Sequence, residues 1–269
     1  MKPYFLLRAP IPRVLVWTMG ILSLVLSVSW YIWKSENAVG NPQQETFFPT
    51  ARIILQTSWQ MITEDHATIL SDIYHSTYRV FAGFLLAAFI AVPIGVLMGA
   101  FNIAAAFFQP WAEFIRYIPV PALIPLFIAI FGVGEEPKIY LIFVGTFFPL
   151  LLMVADEIRR VGYDLIKVAH TLGASQLEIM TKVLLRSALP GIFDALRICH
   201  GWAWTYLVVA ELIATNEGLG IRIMKFARFI QMPKIMMYLV ILGLLGLTLD
   251  MLFRAFNRYA FRWADTSKK

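Results

Sequence analysis

The sequence predicts an all-α polytopic membrane fold with about six transmembrane helices. Three observations carry that prediction. Of 269 residues, 59% are hydrophobic and 15% charged, well below the roughly 25% charge of a soluble domain. Mean hydropathy is +0.69. The Lys and Arg residues sit between long apolar runs. This balance excludes an ordinary soluble enzyme, a disordered tail and a disulfide scaffold. Cys199 is the single cysteine, so no internal disulfide can form. The net charge of +6 reads as cytoplasmic charge flanking spans, with no nucleic-acid partner expected.

Val14–Trp33 runs twenty residues without a charge, enough to cross a hydrocarbon core of about 30 Å. It follows Lys2, Arg8 and Arg13. It is too long for a signal peptide and no small-x-small cleavage site follows it, so it is a first span with its N-terminus inside. Lys34–Arg79 holds five acidic and three basic residues. It reads as an external loop, with Ala51–Ile62 as a short interfacial helix. A second span is expected over Val80–Phe101, then a break near Asn102 and a partly inserted helix to Tyr117. Pro119–Gly134 is a short third span broken by Pro119, Pro121 and Pro125, which suits a helix packed against protein instead of lipid.

Gly132–Lys138 is expected to turn tightly, and Ile139–Ala155 to form the fourth span. The charged segment Asp156–Arg186 follows, then a fifth span at Pro190–Thr215 and a sixth at Ile235–Phe253. Six spans place both termini on one side. The N-terminal tail, the 156–186 segment and the tail with Arg254, Arg258, Arg262, Lys268 and Lys269 hold thirteen of the 23 Lys and Arg residues. That excess makes those three segments cytoplasmic. Residues 1–79 thus form a tail, span and external loop, 80–255 a core, and 256–269 a basic tail.

The 156–186 segment carries the most information. Tyr163–Leu172 is expected to be a short helix ended by Gly173. Ser175 then caps a second short helix to Leu185, with Glu178 at capping-box spacing. Spacing alone leaves a plain connecting loop equally open.

Lys167-Val168-Ala169-His170-Thr171-Leu172-Gly173-Ala174-Ser175, with Leu185 and Ala188-Leu189-Pro190, resembles the EAA loop of ABC importer permeases. That loop reads E-A-A, three residues, Gly, nine residues, then I-x-L-P. Ala169, Gly173 and Leu185 match, and Val183 stands where the pattern has Ile. Lys167, Val168 and Arg186 depart from it. Arg116-Tyr117-Ile118-Pro119-Val120-Pro121, Ile130-Phe131-Gly132-Val133-Gly134 and Lys138-Ile139 resemble the corresponding stretch of the nitrate, sulfonate, taurine and bicarbonate branch. Leu196-Arg197-Ile198, Ala210-Glu211-Leu212-Ile213-Ala214 and Gly218-Leu219-Gly220 fit the same branch, in which the Glu of the loop is often replaced. The resemblance spans roughly residues 80–255.

The resemblance implies a type I importer permease fold and a passive half of an ATP-driven importer in a bacterial inner membrane. Lys167, Val168, Ala169, Gly173, Ala174, Ser175 and Pro190 would form the coupling loop to a separate ABC ATPase, which would bind ATP and Mg. An extracytoplasmic binding protein and a second permease copy, as a homodimer, are the other implied partners. The chain lacks the G-x-x-x-x-G-K-[ST] phosphate loop, so it is not expected to be an enzyme or to carry a cofactor.

Asp194, Arg197, Gly201, Trp204, Val208 and Glu211 are spaced to share one face of the fifth span. Charges within a span are functional candidates, so Arg197, Trp204 and Glu211 are candidates for the translocation pathway. An Asp194–Arg197 structural pair is the alternative. Arg222, Lys225 and Arg228, spaced by three, could attract an anion outside or bind lipid phosphates. The four histidines lack the spacing of a helical metal site. A vitamin-precursor cargo, or an ATP-independent secondary transporter, remain alternatives to a small anion. The latter would need inverted repeats or rings of ionisable residues.

Overall fold

The computed structural model describes residues 12–213 and 215–263. Lys2, Arg8, Lys268 and Lys269 of the expected basic tails, and Ala214, lie outside them. Among the described residues every regular element is helical. In order these are α1 (Arg13–Ala38), α2 (Pro42–Phe47), α3 (Ala51–Glu64), α4 (His66–Ala100), α5 (Asn102–Ile115), a 3-10 turn (Val120–Leu123), α6 (Ile124–Phe131), α7 (Glu136–Arg159) and α8 (Tyr163–Thr171). Then come α9 (Gln176–Glu178), a π-helical stretch (Ile179–Leu184), α10 (Leu185–Ala210), α11 (Leu219–Arg228) and α12 (Met232–Ala260).

The chain divides into two compact units, one of residues 1–65 and 226–237, the other of 66–225 and 238–269. In the first, the Tyr31 hydroxyl donates to the Pro49 carbonyl at 2.7 Å and to Met236 Sδ at 3.4 Å. The second is built on α4, α7 and α10, which pack on one another. Its core is Val80, Phe84, Ala87 and Ala91 of α4, Leu141, Ile142, Leu150 and Val154 of α7, and Ile192, Cys199, Ala203 and Leu207 of α10. Small residues on α4 let the backbones close in: a Cβ at Gly95 or Gly99 would strike Val154 or Ile158 of α7. Helices in lipid associate through such close packing because apolar burial alone drives them together weakly.

Among the described residues, four helices are long and apolar enough to cross a bilayer: Val14–Ala38, α4, α7 and α12. The count is five if α5 and residues 120–131, bent by 92°, form one broken span. The helix α10 has 26 residues, as α1 does, but Asp194, Arg197 and His200 make it less apolar than those four.

The structure corrects four expectations. The second long helix starts at His66, not Val80, and has 35 residues. Residues 66–79 looked like loop because Asp72, Ser76 and Arg79 are polar, yet they share one helical face and are buried against partners. The expected third span is a 3-10 turn and the eight-residue α6, about 12 Å of helix, too short to cross alone. Pro119, Pro121 and Pro125 cause this, since proline withholds an N–H and disfavours helix in the residue before it. The helix begun at Ser175 is not separate from the fifth span but continues through the π-helical stretch into α10. The expected fifth span corresponds to α10, which ends at Ala210, not Thr215, and is not one of the helices that qualify as a span by length and composition.

The α4–α7 seam yields a test. A Cβ at Gly95 would lie 2.7 Å from Val154 Cβ and 2.9 Å from the Leu151 carbonyl oxygen, whereas Gly243 faces open space. Gly95→Leu is expected to cost about 1–3 kcal/mol, as overpacking does. Thermal unfolding in detergent should show a lower Tm for Gly95→Leu and an unchanged one for Gly243→Leu.

Candidate functional site

Two places carry more chemistry than spanning requires. The first is the 163–185 segment. The helix α8 ends in a Schellman motif: Gly173 sits at φ +80°, its N–H donates to His170 O at 2.9 Å, and the Ala174 N–H donates to Ala169 O at 3.0 Å. Only glycine takes that left-handed position without strain. The next residue but one starts the following helix. The Glu178 N–H donates to Ser175 Oγ at 3.3 Å, and the Ser175 N–H donates to Glu178 Oε2 at 3.1 Å, a complete capping box.

Lys182 Nζ donates to Glu178 Oε1 at 2.8 Å. That bond, with those from the Ser175 backbone and hydroxyl, holds the Glu178 carboxyl down to about 2. A lowered carboxylate pKa supports the fold above its ordinary value of 4.5 and loses that support as pH falls through about 2. The cap therefore stays charged across physiological pH.

Both turns are thus fixed by local bonds, while Tyr163, Leu165, Val168, Leu172 and Leu177 are exposed. Lys167 lies 5.1 Å over the Tyr163 ring and 3.3 Å from Asp164. Ala169 is buried beneath, and Pro190 lies half-buried inside α10.

The second place is a buried charge network in the unit built on α4, α7 and α10. Arg79 of α4 is 1% exposed and uses all five N–H donors. Its Nε and Nη2 hold the two Glu135 oxygens at 2.5 and 2.8 Å. Its Nη1 donates to Glu211 Oε1 and to the Glu217 carbonyl, both at 2.8 Å, and Nη2 also reaches Thr215 Oγ1 at 3.2 Å. Lys138, 2% exposed, donates to Glu135 Oε1 at 2.9 Å. Arg79 first, and Lys138 after it, hold the Glu135 carboxyl down to about 2.

Glu211 is wholly buried. It also accepts from Ser76 Oγ at 2.7 Å and from the Gly220 N–H at 2.6 Å. Asp72 accepts from the Gly218 N–H at 2.8 Å, from Arg222 at 2.8 and 3.0 Å, and from the Tyr238 hydroxyl at 2.9 Å. Gly218 has φ +130° and a Cβ there would strike the Glu211 carboxylate, so the chain needs glycine on both counts.

The face expected along the fifth span is in part a packing face. Arg197 pairs with Asp250 at 3.5 Å and with Asp194 at 4.0 Å, and Asn257 donates to Asp194 at 3.1 Å. These bonds tie α10 to α12. Trp204 Nε1 donates to His200 Nε2 at 3.2 Å inside the core. Glu211 is no longer on the helix. It caps α10 and points into the Arg79 network. Of the expected external trio, Arg222 is taken by Asp72, Lys225 donates to Asn216 O at 3.3 Å, and Arg228 is exposed.

Sequence reasoning missed Asp72, Ser76, Arg79, Glu135 and Lys138 as one cluster. The 4 and 3 spacing of Asp72, Ser76 and Arg79 was the available signal.

Comparison with known proteins agrees with this architecture. The model of the "Binding-protein-dependent transport system inner membrane component" family matches residues 91–263. A probable ABC transporter permease of Brucella abortus (strain 2308) is 34% identical over 92% of this chain and 96% of its own length. A putative aliphatic sulfonates transport permease of Bacillus subtilis (strain 168) is 32% identical over 93% of this chain and 89% of its own. In fold, a chain of the MetNI methionine ABC transporter matches with a TM-score of 0.64 at 22% identity, over 72% of this chain and 96% of that one.

The buried pair sets an expected energetic cost. Arg79→Met leaves Glu211 buried without its counter-ion, a change that costs about 3–5 kcal/mol, whereas replacing both partners by apolar residues of similar size is often near neutral. In thermal unfolding in detergent, Arg79→Met and Glu211→Met should each lower Tm strongly, and the double variant should recover part of the loss, since Ser76 and the Gly220 N–H still lack their acceptor.

Proposed function

The chain belongs to the inner-membrane components of binding-protein-dependent transport systems, and from that premise we propose that it moves a small anion into the cytoplasm, driven by ATP that a separate ATPase hydrolyses. Family membership makes it a multi-pass membrane permease. The proposal adds the coupling route, the partners, the orientation and the cargo.

The observation that carries the coupling route is the 163–185 segment. It presents exposed Tyr163, Leu165, Val168, Leu172 and Leu177 on a scaffold that Gly173, Ser175 and Glu178 hold stiff. Such an apolar face on a charged segment suits a groove in a partner protein. Lys167, Val168, Ala169, Gly173, Ala174, Ser175 and Pro190 are its proposed parts. An ABC ATPase docks there, and ATP and Mg belong to that subunit. Both termini and this segment face the cytoplasm, following the Lys and Arg distribution. Cargo arrives from an extracytoplasmic binding protein, and a second copy of this chain completes the pathway.

The name of the Bacillus relative, an aliphatic sulfonates permease, supports a small-anion cargo of nitrate, bicarbonate, sulfonate or taurine type. Arg197 and Trp204 are retained as pathway candidates for a homodimer, although their bonds within this chain also explain them as packing residues. A vitamin-precursor cargo would need the same machinery and a different binding protein.

The test is to tag the chain, extract it in mild detergent and identify what copurifies. An ABC ATPase near equal stoichiometry, with vanadate-sensitive ATP hydrolysis, is expected. Gly173→Asp should leave the protein in the membrane, because an added Cβ meets no atom within 4 Å, yet it strains the left-handed turn. Uptake and ATPase capture should fall together in that variant. Normal uptake, or an ATPase-free oligomer from wild type, would overturn the reading.

A further inference from the structure

The Arg79 network contains two buried cations and one exposed acid, and that inequality has a chemical meaning. Arg79 and Lys138 are 1% and 2% exposed, whereas the Glu135 side chain that binds both is 44% exposed. The other acids nearby are held in place by partners of their own. Glu211 is held by Ser76, Arg79 and the Gly220 N–H, and Asp72 by Arg222, Tyr238 and the Gly218 N–H. Glu217 faces His75 at 3.1 Å through its side chain. Counting only the groups paired directly with one another, Arg79 and Lys138 stand against Glu135 and Glu211, and this set of four is neutral. Without Glu135 it carries one positive charge.

From this geometry we infer that Arg79 and Lys138 form a binding site for a single monovalent oxyanion, which the Glu135 carboxylate occupies as an internal stand-in and yields to a sulfonate- or bicarbonate-type group. The inference rests on the anion-import reading above and deepens it.

Three features support the exchange. First, Glu135 engages Arg79 through two oxygens on Nε and Nη2, the fork that equally fits a sulfonate or bicarbonate. Second, Glu135 leaves without uncovering an apolar core. It follows the turn with Gly132 at φ +75°, Val133 is exposed, and Gly132 and Gly134 look onto open space. Third, the cations cannot follow it out. Arg79 stays bound to Glu211, Thr215 Oγ1 and the Glu217 carbonyl, and the Lys138 side chain is enclosed by protein, 2% exposed. A buried cation pair that loses its acid demands another anion, because unpaired charge away from water is costly. In the proposed orientation this end of the unit faces outside, where cargo arrives.

The experiment uses the full chain in phosphatidylcholine nanodiscs, titrated with sodium methanesulfonate against chloride at constant ionic strength and read by calorimetry. Wild type and Glu135→Asp, which keep the competing carboxylate, should bind weakly. Glu135→Gln should bind about tenfold more tightly or better, a gain of about 1.4 kcal/mol. Glu135→Ala removes the same charge and serves where Gln is not tolerated at 135. Adding Lys138→Met to Glu135→Gln should abolish the gain.

Equal affinity in wild type and in the Glu135→Gln and Glu135→Ala variants would overturn the inference. So would a gain that survives Lys138→Met, since the anion would then sit elsewhere. Phosphatidylglycerol discs separate cargo from lipid: if that headgroup blocks methanesulfonate, the site belongs to lipid phosphate and the cargo assignment falls. No ATPase or binding protein enters this measurement. Its failure beside intact ATP-driven uptake would sink the inference alone, while failure of the importer reading appears as missing ATPase and uptake.

Discussion

The Arg79–Glu211 ion pair is the constraint on which the unit built on α4, α7 and α10 depends. Both groups are buried, and a charge in that setting is tolerated only when its whole hydrogen-bonding capacity is met. Arg79 has five donors, and each finds an oxygen on the Glu135 carboxylate, the Glu211 carboxylate, the Glu217 carbonyl or the Thr215 hydroxyl. The guanidinium on α4 therefore dictates where α7 begins, where α10 stops and how the chain turns between α10 and α11. Gly218 follows from the same demand. The turn must pass against the Glu211 carboxylate with a positive φ, which leaves room for no side chain.

Local order was legible in the sequence and remote pairing was not. The long apolar runs announced α1, α7 and α12, and Gly173, Ser175 and Glu178 announced the 163–185 turn, because caps and turns are set by residues three or four apart. The Arg79 bonds reach partners from 56 to 138 residues away. Apolar periodicity cannot see such pairs, because in them polar residues occupy core positions. Read by hydropathy, Asp72, Ser76 and Arg79 push the start of a helix outward to Val80. Read by spacing, they mark a helical face that must be satisfied from outside its own element. Pro119, Pro121 and Pro125 signalled a broken helix, but no local rule sets the size of the bend between α5 and the 120–131 stretch, which is 92°.

The 163–185 segment is stiff for a different reason. Its two turns are closed by backbone bonds and one side-chain box, all within a few residues, so its shape owes little to the rest of the chain. Its exposed apolar residues are then available to a partner instead of being spent on its own fold. A surface that is rigid before binding loses little conformational entropy on docking. Charges at Lys167 and Lys182 are already paired within the segment, which leaves apolar contact as its main offer.

These two regions are ends of one continuous run of helix. From Gln176 the chain passes through α9, the π-helical stretch and α10 to Ala210, and Glu211 follows at once. The helix α10 alone is about 39 Å long. A helix is stiff along its axis, so a displacement of the 163–185 segment would reach Glu211 with losses only at the π-helical stretch and at Pro190 inside α10, where the backbone bonding is interrupted. Glu211 is bonded to Arg79, and Arg79 to Glu135. On the proposed reading, the cytoplasmic end where a partner pushes and the far end where an anion competes with Glu135 are thus joined by one helix and two salt bridges. A tilt of α10 changes the separation of Glu211 and Arg79, and with it how firmly Arg79 can hold the second carboxylate. On that reading coupling needs no dedicated pathway of side chains, only a helix whose terminal charge is shared with the proposed anion site.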